Sequence, residues 1–142
     1  MMNKVLIDTD IILDFFFDKQ PFSGHAAKIF SLCELKQIQG FVTPVIYSNV
    51  YYLLRQTAKH EKVIEKLTQL LTITDVLLMD KEIVLQALSS NFKDFEDALQ
   101  NYAAEKAGDI EVILTRNAKD FKTSGLGVMT PEDYLKTRIA IP

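Results

Sequence analysis

Val5-Leu6-Ile7-Asp8-Thr9-Asp10 passes from three large aliphatic residues directly into acids. Such a run suits a short strand covered on both faces, as in a parallel sheet sandwiched by helices. In open α/β sheets, ligands bind beyond the carboxyl ends of the strands, so Asp8 is expected at the mouth of a site. The dense apolar segment from Ile11 to Phe17 then reads as a short helix with Asp10 or Thr9 as its N-cap.

Outward from this stretch, strand and helix patterns alternate. After a loop containing Pro21 and Gly24, the residues Ala26, Ala27, Ile29, Phe30, Leu32, Cys33 and Leu35 recur near helical spacing, and that helix is expected to end towards Gly40. Phe41-Val42-Thr43 reads as a brief strand. Thr43-Pro44 is a helix start, threonine capping free amides and proline losing no needed donor, and the helix continues to about Gln56. A helix from His60 to Leu71, a strand from Thr72 to Leu78, a helix from Asp80 to Leu88 and a helix from Asp94 to Lys106 with Gly108 behind it follow. Glu111 to Leu114 is a strand, Ala118 to Phe121 a short turn of helix and Val128-Met129 a last strand. Thr130-Pro131 repeats the capped start. The alternation predicts an α/β/α sandwich with a mainly parallel sheet.

The 142 residues suit one domain, and no repeat or linker divides residues 1–142. No apolar run approaches the roughly 18 to 20 residues needed to span a bilayer, and no signal-peptide pattern opens the chain, so a cytoplasmic protein is expected. Cys33 is the single cysteine and reads as a small core residue, which leaves no internal disulfide or thiolate cluster. A formal net charge of −3 gives no general attraction to nucleic acid; a polyanion would need a local patch or bound cations.

Chemistry-bearing residues concentrate in three acidic places: Asp8, Asp94 with Asp97, and Asp120. Asp94 can instead cap its helix, Asp97 can sit in the first turn, and Asn117 to Asp120 can form another cap with an acidic N3. On a helical wheel, Asp94, Asp97, Asn101 and Glu105 share a polar wedge opposite Phe95, Leu99 and Tyr102, either a solvated face or one aimed at the sheet edge where Asp8 emerges. Carboxylates brought to about 4 Å repel by about 4 kcal/mol per pair at an effective dielectric near 20 and so call for protons or a cation. Oxygen-only ligands suit Mg²⁺ or Mn²⁺, and the lack of paired His or Cys speaks against zinc. Such ions activate water and neutralise phosphoryl charge, which is phosphodiester hydrolysis.

Val5-Leu6-Ile7-Asp8-Thr9, Asp94-Phe95-Glu96-Asp97-Ala98-Leu99 and Leu114-Thr115-Arg116-Asn117-Ala118-Lys119-Asp120-Phe121 together resemble the three acidic motifs of PIN-domain ribonucleases, in order and spacing over nearly the whole chain. The resemblance implies a metal-dependent ribonuclease similar to the VapC-type toxins of bacterial toxin–antitoxin pairs, hence an RNA substrate, an antitoxin partner and a homodimer. By position, Asp8, Asp97 and Asp120 would hold Mg²⁺ or Mn²⁺, with Asp94 a further member and Thr115 and Asn117 lining the site by hydroxyl and amide hydrogen bonds. The family usually has a glutamate where this chain has Asn49, which removes one negative charge.

Arg116, Lys119 and Lys122 fall beside the expected site and Arg55 near the end of the Asn49 helix, where they would grip phosphates or merely be solvated. Phe15-Phe16-Phe17 and Tyr51-Tyr52 fit core or oligomer packing better than base stacking. Two alternatives stay open. A haloacid-dehalogenase-like phosphatase shares the Asp8/Asp10 spacing but would need a lysine and a later strand closing on paired aspartates. A PIN-fold interaction protein without catalysis would account for Asn49.

Overall fold

The computed structural model describes residues 3–121 and 124–139. Its centre is a five-stranded sheet in the order β3-β2-β1-β4-β5, every neighbouring pair parallel. The strands are β1 (Asn3–Ile7), β2 (Ile38–Val42), β3 (Asp75–Val76), β4 (Val112–Leu114) and β5 (Gly127–Met129). Val5, Leu6 and Ile7 are fully buried, as are Ile113 and Leu114 beside them. The aliphatic run thus lies where both faces of the sheet are covered.

Seven helices are described: α1 (Thr9–Phe16), α2 (Ser23–Glu34), α3 (Pro44–Arg55), α4 (His60–Ile73), α5 (Lys81–Leu88), α6 (Phe95–Ala107) and α7 (Pro131–Ile139). Contacts group α1 to α4 with α7, and α5 with α6. This is the arrangement that right-handed crossovers impose when the strand order reverses. A helical layer on each side of the sheet gives the expected three-layer α/β/α sandwich. Chain connection runs from β1 outward to β2 and β3, then returns to β4 and β5, so the order reverses between β1 and β4. Crevices of this fold class open at that point.

Several boundaries differ from the sequence reading. β2 begins at Ile38, three residues before the expected Phe41, because α2 stops at Glu34. The strand expected from Thr72 to Leu78 is only Asp75–Val76. α4 carries on through Ile73, since Leu70 is wanted in the core and Thr74 Oγ1 donates back to the Leu70 carbonyl. β-branched residues on an edge proved a weaker signal than the helix already running. Cys33 is buried as expected, and its Sγ closes on the backbone of Gly40, where an added Cβ would meet Sγ at 2.8 Å and Ile7 Cδ1 at 2.9 Å. A glycine is what lets α2 approach β2 so closely.

The caps expected at Thr43 and Thr130 are present and Asp80 adds one, whereas Asn117 does not cap with its side chain, which donates to Asp10 and leaves only its backbone carbonyl to accept from Asp120 N. Thr43 Oγ1 accepts from Ile46 N at 3.1 Å, Asp80 from Ile83 N at 3.1 Å, and Thr130 Oγ1 from Asp133 N at 3.1 Å. Gly108, with φ 85°, ends α6 in the left-handed conformation that glycine adopts without strain.

Candidate active site

Asp8 and Thr115 each leave a central strand at the carboxyl edge, on either side of the reversal. Asp8 N donates to Leu114 O at 3.0 Å, so β1 and β4 remain paired up to the residue that carries the carboxylate. Thr115 Oγ1 then donates to Asp8 Oδ2 at 2.8 Å, and Thr9 N donates to Asp8 Oδ1 at 2.8 Å. The second bond makes Asp8 the N-cap of α1, a role assigned in the sequence to Asp10 or Thr9. α1 starts immediately after β1, so the strand-end acid is also the helix cap.

Asp10 lies inside the first turn and faces the same edge. Its Oδ2 accepts from Arg116 N at 3.1 Å and Asn117 Nδ2 at 3.3 Å, while Oδ1 is buried without a partner among the described residues. Burial first, and then the neighbouring Asp8, push its carboxyl up to about 6. Asp10 therefore belongs to the site, which its expected role as a helix cap had concealed.

The second acidic motif enters on α6. Asp94 is the N-cap, Oδ1 accepting from Glu96 N at 2.8 Å and Asp97 N at 3.3 Å, so its capping reading holds and it lies at the outer rim. Asp97, half-buried, is pushed up to about 7, mainly by burial and then by the charges of Asp8, Asp94, Asp120 and Glu96. Asp8 is raised too, again mainly by burial, against the opposing hydrogen bonds from Thr115 and Thr9. The charges of Asp8, Asp94, Asp120 and Glu96 thus all bear on Asp97. The wheel-based face is only partly right: Asn101 is buried, accepting from Ser124 Oγ, whereas Phe95 is half-exposed.

Asp120 sits on the single 3₁₀ turn Ala118–Phe121, anchored by buried Phe121. Asn117 N donates to Thr115 Oγ1 at 3.1 Å, which leaves the Thr115 hydroxyl to join this turn to Asp8. Gln100 and Glu96 escaped the sequence reading: Gln100 is fully buried on α6 and its Nε2 donates to Glu96 Oε1 at 3.3 Å, while the Asn49 amide opposes the rise that burial imposes on the Glu96 carboxyl. Spacing could have found the first, since positions 96 and 100 share a helix face.

The expected phosphate-gripping residues separate. Lys119 is exposed on the Asp120 turn. Arg116 is committed elsewhere: its Nε and Nη2 donate to the buried Asp14 at 2.7 and 3.0 Å, and its guanidinium lies 4.0 Å over the Phe22 ring. The pair borders a cleft of about 280 Å³ with His25, Thr130, Pro131 and Glu132. Arg55 lies six residues beyond Asn49, about 9 Å further down the helix axis, and bonds the Ala58 carbonyl. Lys122 lies outside the described residues.

The donor set fits a hard divalent cation in its chemistry, being oxygen-only, strongly negative and under pressure to take up protons. Among the described residues, however, no three His, Cys, Asp or Glu side chains are close enough to cage an ion.

Known proteins resemble the chain in sequence and in fold. The chain is 26% identical over 136 residues to Ribonuclease VapC1 of Aquifex aeolicus (strain VF5), covering 92% of each chain. Among solved structures, VapC20 of Mycobacterium tuberculosis, a Sarcin-Ricin loop cleaving toxin, matches with a TM-score of 0.66 at 17% identity, over 86% of this chain and 95% of that one. VapBC-1 of nontypeable Haemophilus influenzae matches with a TM-score of 0.66 at 16% identity, over 91% and 98%. Residues 4–119, from the first strand to the turn that carries Asp120, match the PIN domain family model, and the chain belongs to that family.

Proposed function

We propose that the chain is a metal-dependent ribonuclease that hydrolyses RNA phosphodiester bonds at the edge between β1 and β4, and that it is the toxin of a toxin–antitoxin pair. The observation that carries this reading is the placing of Asp8 and Asp10 side by side at the β1–β4 edge, held there by Thr115, Arg116 N and Asn117, with nearby acids and burial pushing Asp97 up to about 7. Carboxylates so placed are held at a cost unless a proton or cation joins them.

Asp8 and Asp97 would hold the ion, with Asp120 closing the opposite side and Asp94 at the rim. A divalent cation supplies an activated water and neutralises charge on the phosphoryl group. The protein's own residues do the positioning. Thr115 fixes one Asp8 oxygen and the α1 amide of Thr9 the other. Asn117 spends its amide on Asp10, which orients the turn carrying Asp120 and exposed Lys119. Among the described residues beside the site, Lys119 is then a cation available for a substrate phosphate. Asn49 takes part through Glu96.

The names of the matched proteins support the toxin assignment, and a homodimer is proposed with it. Ile11, Ile12, Ile29 and Phe30 of the first two helices are consumed by the core, so that apolar surplus leaves Phe15, Phe17 and Leu35 exposed. The larger exposed apolar surface is around α5, with Leu78, Leu85 and Leu88 more than half exposed, and this is the face proposed to pair. Among the described residues no helix is long and apolar enough to cross a membrane. This accords with the proposed cytoplasmic location.

The test is RNA cleavage by the purified chain. Cleavage is expected with Mg²⁺ or Mn²⁺, is expected to stop with a chelator, and should be lost in Asp8→Asn. Absence of cleavage with both ions would instead favour a PIN-fold interaction protein, the reading that Asn49 invites.

A further inference from the structure

The cleft beside Arg116 lies on the same edge of the sheet as the acids and has no role in the hydrolysis proposed above. Arg116 follows β4 by two residues, and its own amide donates to Asp10 at 3.1 Å. α7 begins at Pro131, two residues after β5 ends. α2 leads at its far end towards the start of β2, so its own start, with Phe22 and His25, also stands at the carboxyl edge. Asp10 and Asp14, one turn apart on α1, serve the two places, Asp10 the strand junction and Asp14 the cleft. A chain laid across the acids therefore has this opening next to it.

One wall is planar and fixed. The Arg116 guanidinium lies 4.0 Å over the Phe22 ring, and two of its nitrogens are held by buried Asp14 at 2.7 and 3.0 Å. Asp14 offsets the arginine charge and Glu132 adds a negative one to the lining, so the cleft is ill suited to a phosphate. At about 280 Å³ it falls just under the roughly 300–1,000 Å³ of small-molecule pockets, room for one flat ring system. Aromatic and guanidinium planes are what unpaired RNA bases stack on. Glu132 is exposed and loosely held, with His25 Nε2 3.8 Å from Oε1 and Lys136 Nζ 3.4 Å from Oε2, and exposed pairs of this kind contribute little. An ionised carboxylate only accepts, at both oxygens. Of the four RNA bases, guanine alone presents two adjacent N–H donors on its pairing edge.

We propose that this cleft binds a guanine base of the RNA, stacked against the wall of Phe22 and Arg116, with its ring N–H and exocyclic amine donating to Glu132. The proposal rests on the ribonuclease reading for the identity of the polymer, and adds to it a nucleotide preference beside the cut.

Amide NMR titration of the metal-free full chain with free nucleosides tests the cleft without phosphate, metal or cleavage. Guanosine should move the resonances of Phe22, His25, Arg116 and Glu132 more than adenosine, cytidine or uridine does at equal concentration. Inosine, which lacks the exocyclic amine, should bind on the order of 5-fold or more weaker, the lower end of what a two-point base contact supplies. Glu132→Ala, at an exposed position, should erase the advantage of guanosine; Arg116 and Asp14 are left intact because their loss reaches the fold. Four nucleosides binding alike, or guanosine moving none of these resonances, overturns the proposal. So does argininamide moving them more than guanosine, which marks a site for a protein side chain. RNA cleavage without guanosine binding overturns the proposal and leaves the ribonuclease reading standing. Guanosine binding without cleavage in Mg²⁺ or Mn²⁺ upholds the base site and overturns the ribonuclease reading.

Discussion

Thr115 Oγ1 and Asp8 Oδ2 meet at 2.8 Å across the junction of the two central strands, with Thr115 fully buried and Asp8 nearly so. One hydroxyl thereby joins the first strand to the turn that bears Asp120, since Asn117 N donates to the same oxygen. Thr115→Val keeps the shape and removes the donor. It should destabilise the fold by about 1–3 kcal/mol in denaturant unfolding, the cost of a buried acceptor left unpaired. It should also raise the already elevated Asp8 carboxyl further, moving the acid limb of any pH–rate profile upward. Thr115→Ser should behave like the wild type in both measurements.

Asp97 gives the metal-free protein an inverted pH response. Its carboxyl lies at about 7 in the fold, mainly through burial, against an ordinary value of 3.8. The native state therefore binds more protons than the unfolded chain between those values, and stability falls as pH rises through that window. Asp10, pushed up to about 6, acts in the same direction. Thermal unfolding without metal should occur at a higher temperature near pH 5 than near pH 8. Asp97→Asn should flatten much of that difference, and an equally steep slope in the variant would refute the assignment.

Arg116 and Asp14 form a two-point ion pair with Asp14 almost wholly buried. Removing one partner strands the other, which at buried pairs is strongly destabilising. Arg116→Met should cost about 3 kcal/mol, the lower end of the range because part of the arginine faces solvent. Adding Asp14→Leu should restore most of the loss. A single Arg116→Met that left stability untouched would show the arginine to be a free phosphate-gripping group after all.

Gly40→Ala should destabilise by about 1–3 kcal/mol, because its Cβ would press on Cys33 Sγ and Ile7 Cδ1. Cys33→Ala opens space on one side. The double variant should unfold at higher denaturant than the sum of the single effects predicts.

Legibility of this chain in its sequence divides along physical lines. β1 and the capped starts at Thr43 and Thr130 were readable because each rests on a few adjacent residues with a definite local preference. The two-residue β3 was not, since its extent depends on what the sheet edge offers and not on the β-branching of Thr72 to Val76. Within the site, the acids could be listed from the motifs. Their partners could not: Gln100 looks like an ordinary helix residue until the fold buries it, and Arg116 looks free until α1 brings Asp14 beneath it. Asp10 was misassigned because a run with two possible caps does not say which one the chain uses.

The absence of any linker between β1 and α1 has a mechanical meaning. Asp8 is mounted on two rigid elements at once, and both its oxygens are engaged by Thr9 and Thr115. It behaves as a fixed post and not as an arm. Asp120, in contrast, rides on a separate one-turn helix held by the buried Phe121 and by the hydrogen bonds of Thr115 and Asn117. On the proposed ribonuclease reading, the gap between them is therefore fitted to a phosphodiester backbone from the side of the Ala118–Phe121 turn, while Asp8 stays where it is.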